Sequence, residues 1–345
     1  MPTFTGKLNP NEIYSSLYNM LIGQTVFNDR LNVTDSLVSK ARIDGSAYGD
    51  TKLYYATNVL HSRKWGADAE APNLLATHRP SDPKTQAITL SEMRIIELTL
   101  DSFLSKRAWF DEGIFGEFTS VMEGTMGKTK DIYDDTTYNA FFGTHEVDGE
   151  TFTCTISDAT KEAEEIAQYV ANLVDDMCTL RRNMNAYGQA TKFHKDQIHI
   201  VWNKKIVNKI KLVDLPAIFH KEGLLPEGET LHADYFGKVN TNATAGDGKT
   251  VRYMSETKYG DGVEDYAFAG ELVPVGVTAD AGNSYTTDEN IICKIYVKLP
   301  PYMSGLQAGD SFWNPIAQIT NRYLIWGHNP LESLEAYPFI TIKKA

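Results

Sequence analysis

Cysteine is scarce in this 345-residue chain, and its placement excludes two kinds of site. The three cysteines, Cys154, Cys178 and Cys293, lie far apart and form no CxxC pair. Their odd number argues against a disulfide framework, and the missing CxxC spacing argues against a zinc finger. We therefore expect free thiols in a reducing compartment.

Long hydrophobic runs are also missing. No apolar stretch reaches the roughly 18 residues that a membrane helix needs. Residues 1 to 7 contain no apolar segment of the kind found in secretory signals. The sequence predicts a soluble protein that is made in a cytoplasm and has no membrane partner.

Motifs of common catalytic sites are absent as well: there is no GxxxxGK[ST], GxGxxG, GxSxG or HExxH. His194, His199, His220 and His232 are conceivable metal ligands, but no cysteine or ordered acid completes a set. Exposed or hydrogen-bonded histidines are the favoured interpretation. We expect no cofactor, no metal and no enzymatic activity, although a site assembled from distant residues escapes a motif search.

Paired acids occur at Asp134-Asp135 and Asp175-Asp176. Glycosidases need two carboxylates that face each other across a substrate. Neighbouring residues on a helix point about 100° apart and do not meet that requirement. We expect both pairs to lie on solvated helix faces.

Positive charge is in deficit, with 33 basic against 45 acidic residues and a net charge of −12. Such a chain is repelled by phosphate backbones, so sequence-specific DNA binding is not expected. A local basic cluster follows residue 203, and it is interpreted as a solvated helix face: Lys204, Lys205, Lys209 and Lys211. Hydrophobic residues make up 42% and charged residues 23%, which is typical of a folded protein.

The first part of the chain predicts a polar arm with one short helix. Asn9-Pro10 supplies a helix start, and residues 12 to 22 follow with apolar side chains at helical spacing. A helix this short is not stable alone in water, so it must dock. The polar residues 24 to 47 form a link that is long enough to reach another subunit.

The next part predicts an extended hairpin. Residues 52 to 60 are aromatic and branched enough for a strand, and a second strand runs over 87 to 90 and 93 to 100. The proline-bearing segment 66 to 85 forms the tip. Loops this long are usually functional, and a hairpin that reaches away from its own body must find a partner chain.

Helical periodicity then predicts a long helix over 110 to 142 that contains several glycines, which allow a bend or the close approach of another element. A second helix, 158 to 180, is capped by Ser157 and Asp158. Between them, 144 to 157 is interpreted as a small hairpin turning at Asp148-Gly149. Short apolar runs predict strands at 198–202, 291–299, 323–326 and 338–342.

This order of parts resembles the major capsid protein fold of tailed phages and herpesviruses, the Hong Kong 97 (HK97-like) type. Tyr48-Gly49-Asp50-Thr51 looks like the entry into the first strand of that family's E-loop hairpin. Ile88-Thr89-Leu90 followed by 95 to 102 looks like the return strand. The long helix, ending at Phe141-Phe142-Gly143, looks like the spine helix, and the segment from 158 to 202 looks like the start of the axial domain.

The resemblance implies an α+β fold in five parts. These are an N-terminal arm (1–47), the E-loop with flanking strands (48–101), a peripheral (P) domain with the spine helix (102–157), a mixed α/β axial (A) domain (158–300) and C-terminal strands that return to the A/P-domain body (301–345). It implies a structural protein that self-assembles through pentamers and hexamers into the icosahedral shell around phage double-stranded DNA.

The resemblance also implies partners and a location. The first partner is the chain itself, and the others are a portal and cement or decoration proteins. The arm begins within about ten residues of Met1, so no cleaved scaffolding segment is expected and a separate scaffolding protein is. The protein would be made in the host cytoplasm and end in the virion. Three alternatives stay open: an encapsulin-like nanocompartment shell, a soluble enzyme with an unrecognised site, and a phage tail or decoration protein, against which the long helix over 110 to 142 argues.

Inter-subunit contacts are expected from the arm and the hairpin. The predicted contact residues are Ile13, Leu17, Met20, Leu21, Trp65, Pro72, Leu74, Leu75, Pro80 and Lys84. Some members of the family also join an E-loop lysine to an asparagine of a neighbour, which here would use Lys64 or Lys84 and Asn329. Ordinary exposed lysines are the default interpretation.

Overall fold

The computed structural model describes residues 36–60, 62, 77, 79, 82–101, 112–158, 161–209, 228–240, 250–253, 255–258, 264–267, 270–273 and 284–345. The predicted arm helix lies outside these residues. So do most of the predicted hairpin tip, from 66 to 85, and the histidine at 220.

Four α-helices are described: α1 Leu37–Ala41, α2 Glu112–Thr144, α3 Glu162–Met177 and α4 Lys204–Lys209. The strands of the first half are β1 Arg42–Asp44, β2 Thr51–Ala56, β3 Lys84–Thr89, β4 Glu92–Asp101, β5 Thr151–Cys154, β6 His199–Asn203 and β7 Glu229–Leu231. Those of the second half are β8 Gly237–Val239, β9 Thr250–Arg252, β10 Ser255–Lys258, β11 Glu264–Ala267, β12 Glu271–Leu272, β13 Ser284–Thr287, β14 Ile291–Tyr296, β15 Tyr302–Asn314, β16 Ile319–His328 and β17 Phe339–Lys344.

The chain divides into two compact units. Unit 1 contains the residues up to Asp50, Leu90–Asp135 and Met303–Pro330, and unit 2 contains Thr51–Thr89, Thr136–Tyr302 and Leu331–Ala345. Helix α2 contributes residues to both. The five-part division expected from the resemblance stays a prediction.

The core of unit 2 is a five-stranded sheet in the order β5-β17-β14-β6-β7. Strand β14 is buried along its whole length, and β17 and β6 pair with its two edges in antiparallel register. Helix α3 packs on this sheet with the predicted apolar stripe. All seven stripe residues are buried, which confirms the helical periodicity: Ala163, Ile166, Ala167, Val170, Leu173, Val174 and Met177.

The predicted hairpin over 144 to 157 is wrong. A turn does form at Asp148-Gly149, where Gly149 has a φ of +81° that favours glycine. However, α2 extends to Thr144, so no strand precedes the turn for β5 to pair with. Strand β5 instead pairs in parallel with the last strand of the chain, β17.

The predicted cap of the second helix is also wrong. Helix α3 begins at Glu162, after Lys161, and no side chain caps its first turn by a hydrogen bond. Three acids, Glu162, Glu164 and Glu165, stand in that turn and interact favourably with the helix dipole. The charges supply the stabilisation that we had expected from Ser157 and Asp158.

Unit 2 also contains a four-stranded sheet in the order β12-β9-β13-β8. Ala140 of α2 packs against its Val251 and Tyr285. A Cβ added at Gly143 would lie 2.0 Å from the carbonyl oxygen of Tyr235, so this glycine permits a close approach of α2 to the backbone at Tyr235. At Gly124 and Gly127 an added Cβ would meet nothing within 4 Å, so the close approach expected there is not found.

Unit 1 is built on a four-stranded sheet in the order β1-β15-β16-β4. Strands β15 and β16 form a long antiparallel hairpin that closes at Asn314 and Ile319, and β4 pairs with the full length of β16. The predicted return strand is therefore split. Its first part, β3, pairs with β2, whereas its second part, β4, belongs to this other sheet.

The split occurs at Leu90, which is fully buried. Its backbone N–H donates to Asp50 O (2.9 Å) and its carbonyl accepts from Gly49 N (2.8 Å). Its side chain fits where glycines leave room, because an added Cβ at Gly305 or Gly327 would lie 2.5 or 2.7 Å from a Leu90 methyl carbon. The buried Leu90 thus lies at the point where the chain passes from the β2–β3 sheet to the sheet of unit 1.

Candidate protein–protein interface

The β2–β3 hairpin has two chemically different faces. Strand β2 alternates between exposed and half-buried residues, and Leu53 and Tyr55 are 54% and 74% exposed. Register pairs Leu53 with Ala87, which is also exposed. We call Leu53, Tyr55 and Ala87 the outer face. A two-stranded ribbon is at best marginally stable alone, so the other face must hold it.

The other face is attached to unit 2 by a set of polar contacts. The Gln86 amide donates from Nε2 to Ser333 O (2.8 Å) and accepts at Oε1 from Glu335 N (3.0 Å). The Lys298 ammonium lies 5.5 Å from the centre of the Tyr54 ring and 5.6 Å from that of Tyr337. We call Tyr54, Gln86 and Lys298 the latch. Each contact of these kinds is worth about 0.5–1.5 kcal/mol, so together they hold the ribbon in one direction.

Two more contacts hold the hairpin farther from its base. Asn58 Oδ1 accepts from Ala190 N at 3.2 Å, and Gln189 Nε2 donates to Asp82 O at 2.8 Å. We had expected a hairpin that reaches away from its own body. The described stem, as far as Asn58 and Asp82, instead contacts its own unit.

A second exposed apolar surface lies at the closed end of the β15–β16 hairpin in unit 1. Phe312, Trp313 and Ile316 are 61%, 48% and 95% exposed, and we call them the apolar tip. Asn314 Oδ1 accepts from the backbone N–H groups of Ile316 (3.1 Å) and Ala317 (3.3 Å), which stiffens the turn. Single exposed hydrophobic residues are ordinary. Phe312 and Trp313 are neighbours in β15 and project from opposite faces, so this hairpin end exposes large apolar side chains on both sides, which favours contact with another molecule.

Of the ten predicted contact residues, Lys84 is described. It opens β3, and its ammonium lies 3.2 Å from Asp82 Oδ1 with a half-exposed side chain. The other nine, and Lys64, lie outside the described residues. Asn329 is fully buried: its Oδ1 accepts from Met303 N at 2.7 Å and its Nδ2 donates to Pro330 O at 2.8 Å. Its amide is therefore not accessible to a lysine of a neighbour in this structure.

A buried ion cluster in unit 1 corrects one expectation. Asp134, expected on a solvated face, is 1% exposed and accepts from Lys130 Nζ (2.7 Å) and Arg42 Nη2 (3.1 Å). The spacing of four residues between Lys130 and Asp134 is typical of an ion pair on a helix and can be seen in the sequence. The burial of the pair depends on the sheet of unit 1. Asp176, in contrast, is exposed and pairs with Arg181.

Unit 2 buries a lysine that the sequence did not single out. Lys294 of β14 is fully buried, and its ammonium donates to the carbonyl of His145, just beyond the end of α2. The ammonium also lies 5.3 Å from the centre of the Phe339 ring. Burial lowers the pKa of Lys294 to about 7. A cation in this position stabilises the carbonyl end of a helix.

His145 and Ser333 form a serine–histidine pair, with 2.9 Å between His145 Nε2 and Ser333 Oγ. Burial, with the nearby Lys294 charge, lowers the pKa of His145 to about 4, so the ring is neutral at pH 7. Ser333 is 8% exposed, and its own carbonyl accepts from Gln86. The pair is enclosed by protein and stabilises the packing of its neighbours.

The remaining chemistry candidates have structural partners. His194 N donates to Gln197 Oε1 (3.1 Å), and His232 Nδ1 accepts from Asp234 N (3.3 Å). Lys205 and Lys209 form ion pairs with Glu289 and Glu162. Within the part of the chain that the structure describes, no three histidine, cysteine or acidic side chains converge as metal ligands would. No helix among those residues is long and apolar enough to cross a membrane.

Comparison with known proteins finds similarity in structure and none in sequence. No family model and no curated protein matches the chain. A chain in the capsid structure of Staphylococcus phage Andhra is similar with a TM-score of 0.63 at 10% identity, over 94% of this chain and 87% of that one. The fold is that of bacteriophage capsid proteins. The expected α+β, HK97-like fold class is thus confirmed.

Two further solved structures show the same similarity. A chain from the structure of the head fiber and inner core protein gp22 of native bacteriophage P68 has a TM-score of 0.59 at 11% identity, over 93% of this chain and 88% of that one. A chain in the asymmetric unit of the bacteriophage PhiM1 mature capsid has a TM-score of 0.50 at 10% identity, over 100% and 92%. The similarity therefore extends over nearly the whole chain.

Proposed function

We propose that this chain is the major capsid protein of a tailed bacteriophage. It is a structural subunit that assembles with copies of itself, through pentamers and hexamers, into an icosahedral shell around double-stranded DNA. The observation that carries this proposal is the fold shared with the Andhra phage capsid chain over 94% of the present chain, at a TM-score of 0.63.

The exposed surfaces support this function. The outer face of the β2–β3 hairpin and the apolar tip of the β15–β16 hairpin expose large apolar side chains to water, with Tyr55 at 74% and Ile316 at 95%. Obligate interfaces between subunits bury about 2,000–5,000 Å² and are rich in such residues. Contacts between unlike surfaces of identical chains close into rings, which is the geometry of capsomers.

The charge of the chain supports a shell around DNA. The net charge is −12, and the described basic helix α4 has two of its lysines paired with acids. An acidic wall repels phosphate groups, so packaged DNA slides along it without sequence-specific contacts. A separate scaffolding protein, a portal and cement proteins belong to the same proposal, with the virion as its location.

Assembly of the purified chain tests the proposal. The chain is expressed alone and together with the scaffolding protein of its own genome, and particle mass is measured by sedimentation and light scattering with electron microscopy. We expect closed shells of megadalton mass. A monomer or small oligomer under both conditions would show that the proposal is wrong. Shells that enclose a cargo enzyme would favour the encapsulin-like alternative.

A further inference from the structure

The β2–β3 hairpin exposes two large apolar side chains, Leu53 and Tyr55, on one side while its other side is attached to unit 2. Its half-buried and buried side include the polar Gln86 together with Tyr54 and Ile88, whereas Leu53 and Tyr55 face outward. A shift of one residue in register exchanges the faces of a strand. The observed register therefore leaves the apolar side chains of Leu53 and Tyr55 uncovered, while the opposite side buries Ile88 and makes specific polar contacts.

We propose that the latch formed by Tyr54, Gln86 and Lys298 is an assembly-positioning device that holds the outer face of the hairpin towards a second copy of this chain. This inference rests on the proposed function. The latch residues act through the direction of the hairpin, and the outer face of Leu53, Tyr55 and Ala87 makes the contact.

A second copy of this chain is the occupant that the observations favour. The matching solved structures are described as capsids, and one of them as the asymmetric unit of a mature capsid. In a closed assembly every subunit presents the same surface to a neighbour of the same kind. The outer face is uncharged, so it suits an apolar surface on that neighbour.

The physical role of the latch is preorganisation. A two-stranded ribbon without support samples many directions, and docking would then order it. The Gln86 amide fixes the ribbon against the backbone at 333 and 335, and the Lys298 ammonium fixes Tyr54 beside Tyr337. These contacts order the hairpin before assembly, so the neighbour meets a surface that is already in place.

The test compares three kinds of variant of the full-length chain. Gln86→Ala/Lys298→Met removes the latch, Leu53→Ser/Tyr55→Ser changes the outer face, and Thr57→Ser, at an exposed residue just beyond β2, is the control on the same hairpin. Hydrogen exchange of the β2 and β3 amides is measured on the unassembled subunit, and the initial assembly rate is measured by light scattering. Lys298→Arg keeps a cation between the two tyrosine rings and serves as the conservative variant.

We expect the latch variant to exchange its hairpin amides at least about tenfold faster and to assemble about tenfold more slowly, because the docking surface is no longer preorganised. The outer-face variant should assemble poorly with unchanged exchange, and Thr57→Ser and Lys298→Arg should resemble the wild type. A latch variant that assembles at the wild-type rate, or whose hairpin exchanges no faster, overturns the inference. If the wild type and the control also form no particles, the proposed function itself fails with it.

Discussion

The five-stranded sheet of unit 2 and the β15–β16 hairpin of unit 1 contain similar apolar residues, which are buried in the sheet and exposed at the end of the hairpin. Strand β14 consists largely of isoleucine and tyrosine, and every residue of it is buried. The closed end of the β15–β16 hairpin carries phenylalanine, tryptophan and isoleucine, and all three are exposed. Side-chain chemistry alone does not separate these regions. The difference is that β14 is paired on both edges and covered within the chain, whereas the hairpin end is not.

The comparison teaches where each region finds its stabilising contacts. The sheet of unit 2 is completed by the chain itself, so changes there should lower the free energy of unfolding. We infer that the hairpin end is completed by another molecule, so changes there should leave unfolding nearly unchanged and weaken association. The following predictions test that contrast from the largest expected effect on unfolding to the smallest.

The largest effect is expected from Ile295→Ala in β14. Ile295 is fully buried between Ile340 of β17 and Ile200 of β6 in the sheet register. Removing its branched side chain leaves a cavity and should lower the free energy of unfolding by about 2–5 kcal/mol. Urea denaturation of the unassembled subunit measures this. A loss below about 1 kcal/mol would show that the sheet repacks and that the contrast is weaker than stated.

A similar loss is expected in unit 1 from Asp134→Ala, because Lys130 would stay buried without its partner. Breaking a buried ion pair from one side typically costs about 3–5 kcal/mol. Arg42→Ala is the matched comparison: the Arg42 side chain is 45% exposed, so its loss should cost about 1 kcal/mol or less. Thermal denaturation with calorimetry distinguishes the two. Equal losses would mean that the exposed arginine, and not the buried lysine, balances the carboxylate.

Unit 2 should lose stability as pH falls. Burial lowers the pKa of His145 from 6.5 to about 4. Between pH 6.5 and pH 4 the histidine is therefore protonated in the unfolded chain and neutral in the folded chain. The His145 contribution is therefore lost as pH falls from 6.5 to 4. Lys294 acts in the same direction. Its pKa is lowered from 10.5 to about 7, so the folded state becomes less stable as pH falls from 10.5 to 7.

Two variants separate these windows. His145→Gln should flatten the pH dependence of the melting temperature between 4 and 6.5, and Lys294→Met should flatten it between 7 and 10.5. His145→Gln is the control for the upper window. Lys294→Met should also narrow the lower window, because the Lys294 charge contributes to the lowered pKa of His145. A profile in which both variants keep the wild-type slope would assign the pH dependence to other groups.

The smallest effect on unfolding is expected at the apolar tip. Ile316→Ser changes a side chain that is 95% exposed, so the free energy of unfolding should shift by no more than about 0.5 kcal/mol. Assembly should nevertheless slow, because an apolar anchor is lost. Ile316→Leu keeps the apolar volume and is the control. If Ile316→Ser assembles as the wild type does, the apolar tip is not an interface. The contrast with the five-stranded sheet would then apply to the outer face of the β2–β3 hairpin and not to the tip.

Local pattern predicted much of the architecture. The periodicity over 110 to 142 predicted the helix that runs from Glu112 to Thr144, and the stripe of α3 was correct at every position. The strands predicted near 198, 291, 323 and 338 are all present, as is the pairing of β2 with β3. These features depend on neighbours in the chain, since helical and strand periods repeat every few residues.

The partners of these elements followed from tertiary structure. The split at Leu90 requires Gly305 and Gly327, and the parallel pairing of β5 requires β17, almost two hundred residues away in sequence. The burial of Asp134 and the side on which the β2–β3 hairpin is attached also depend on distant residues. The sequence by itself predicted the two long helices, most of the longer strands and the apolar stripe of α3. Tertiary structure decided which apolar faces are covered, because burial is a property of the partner that a segment meets and not of the segment alone.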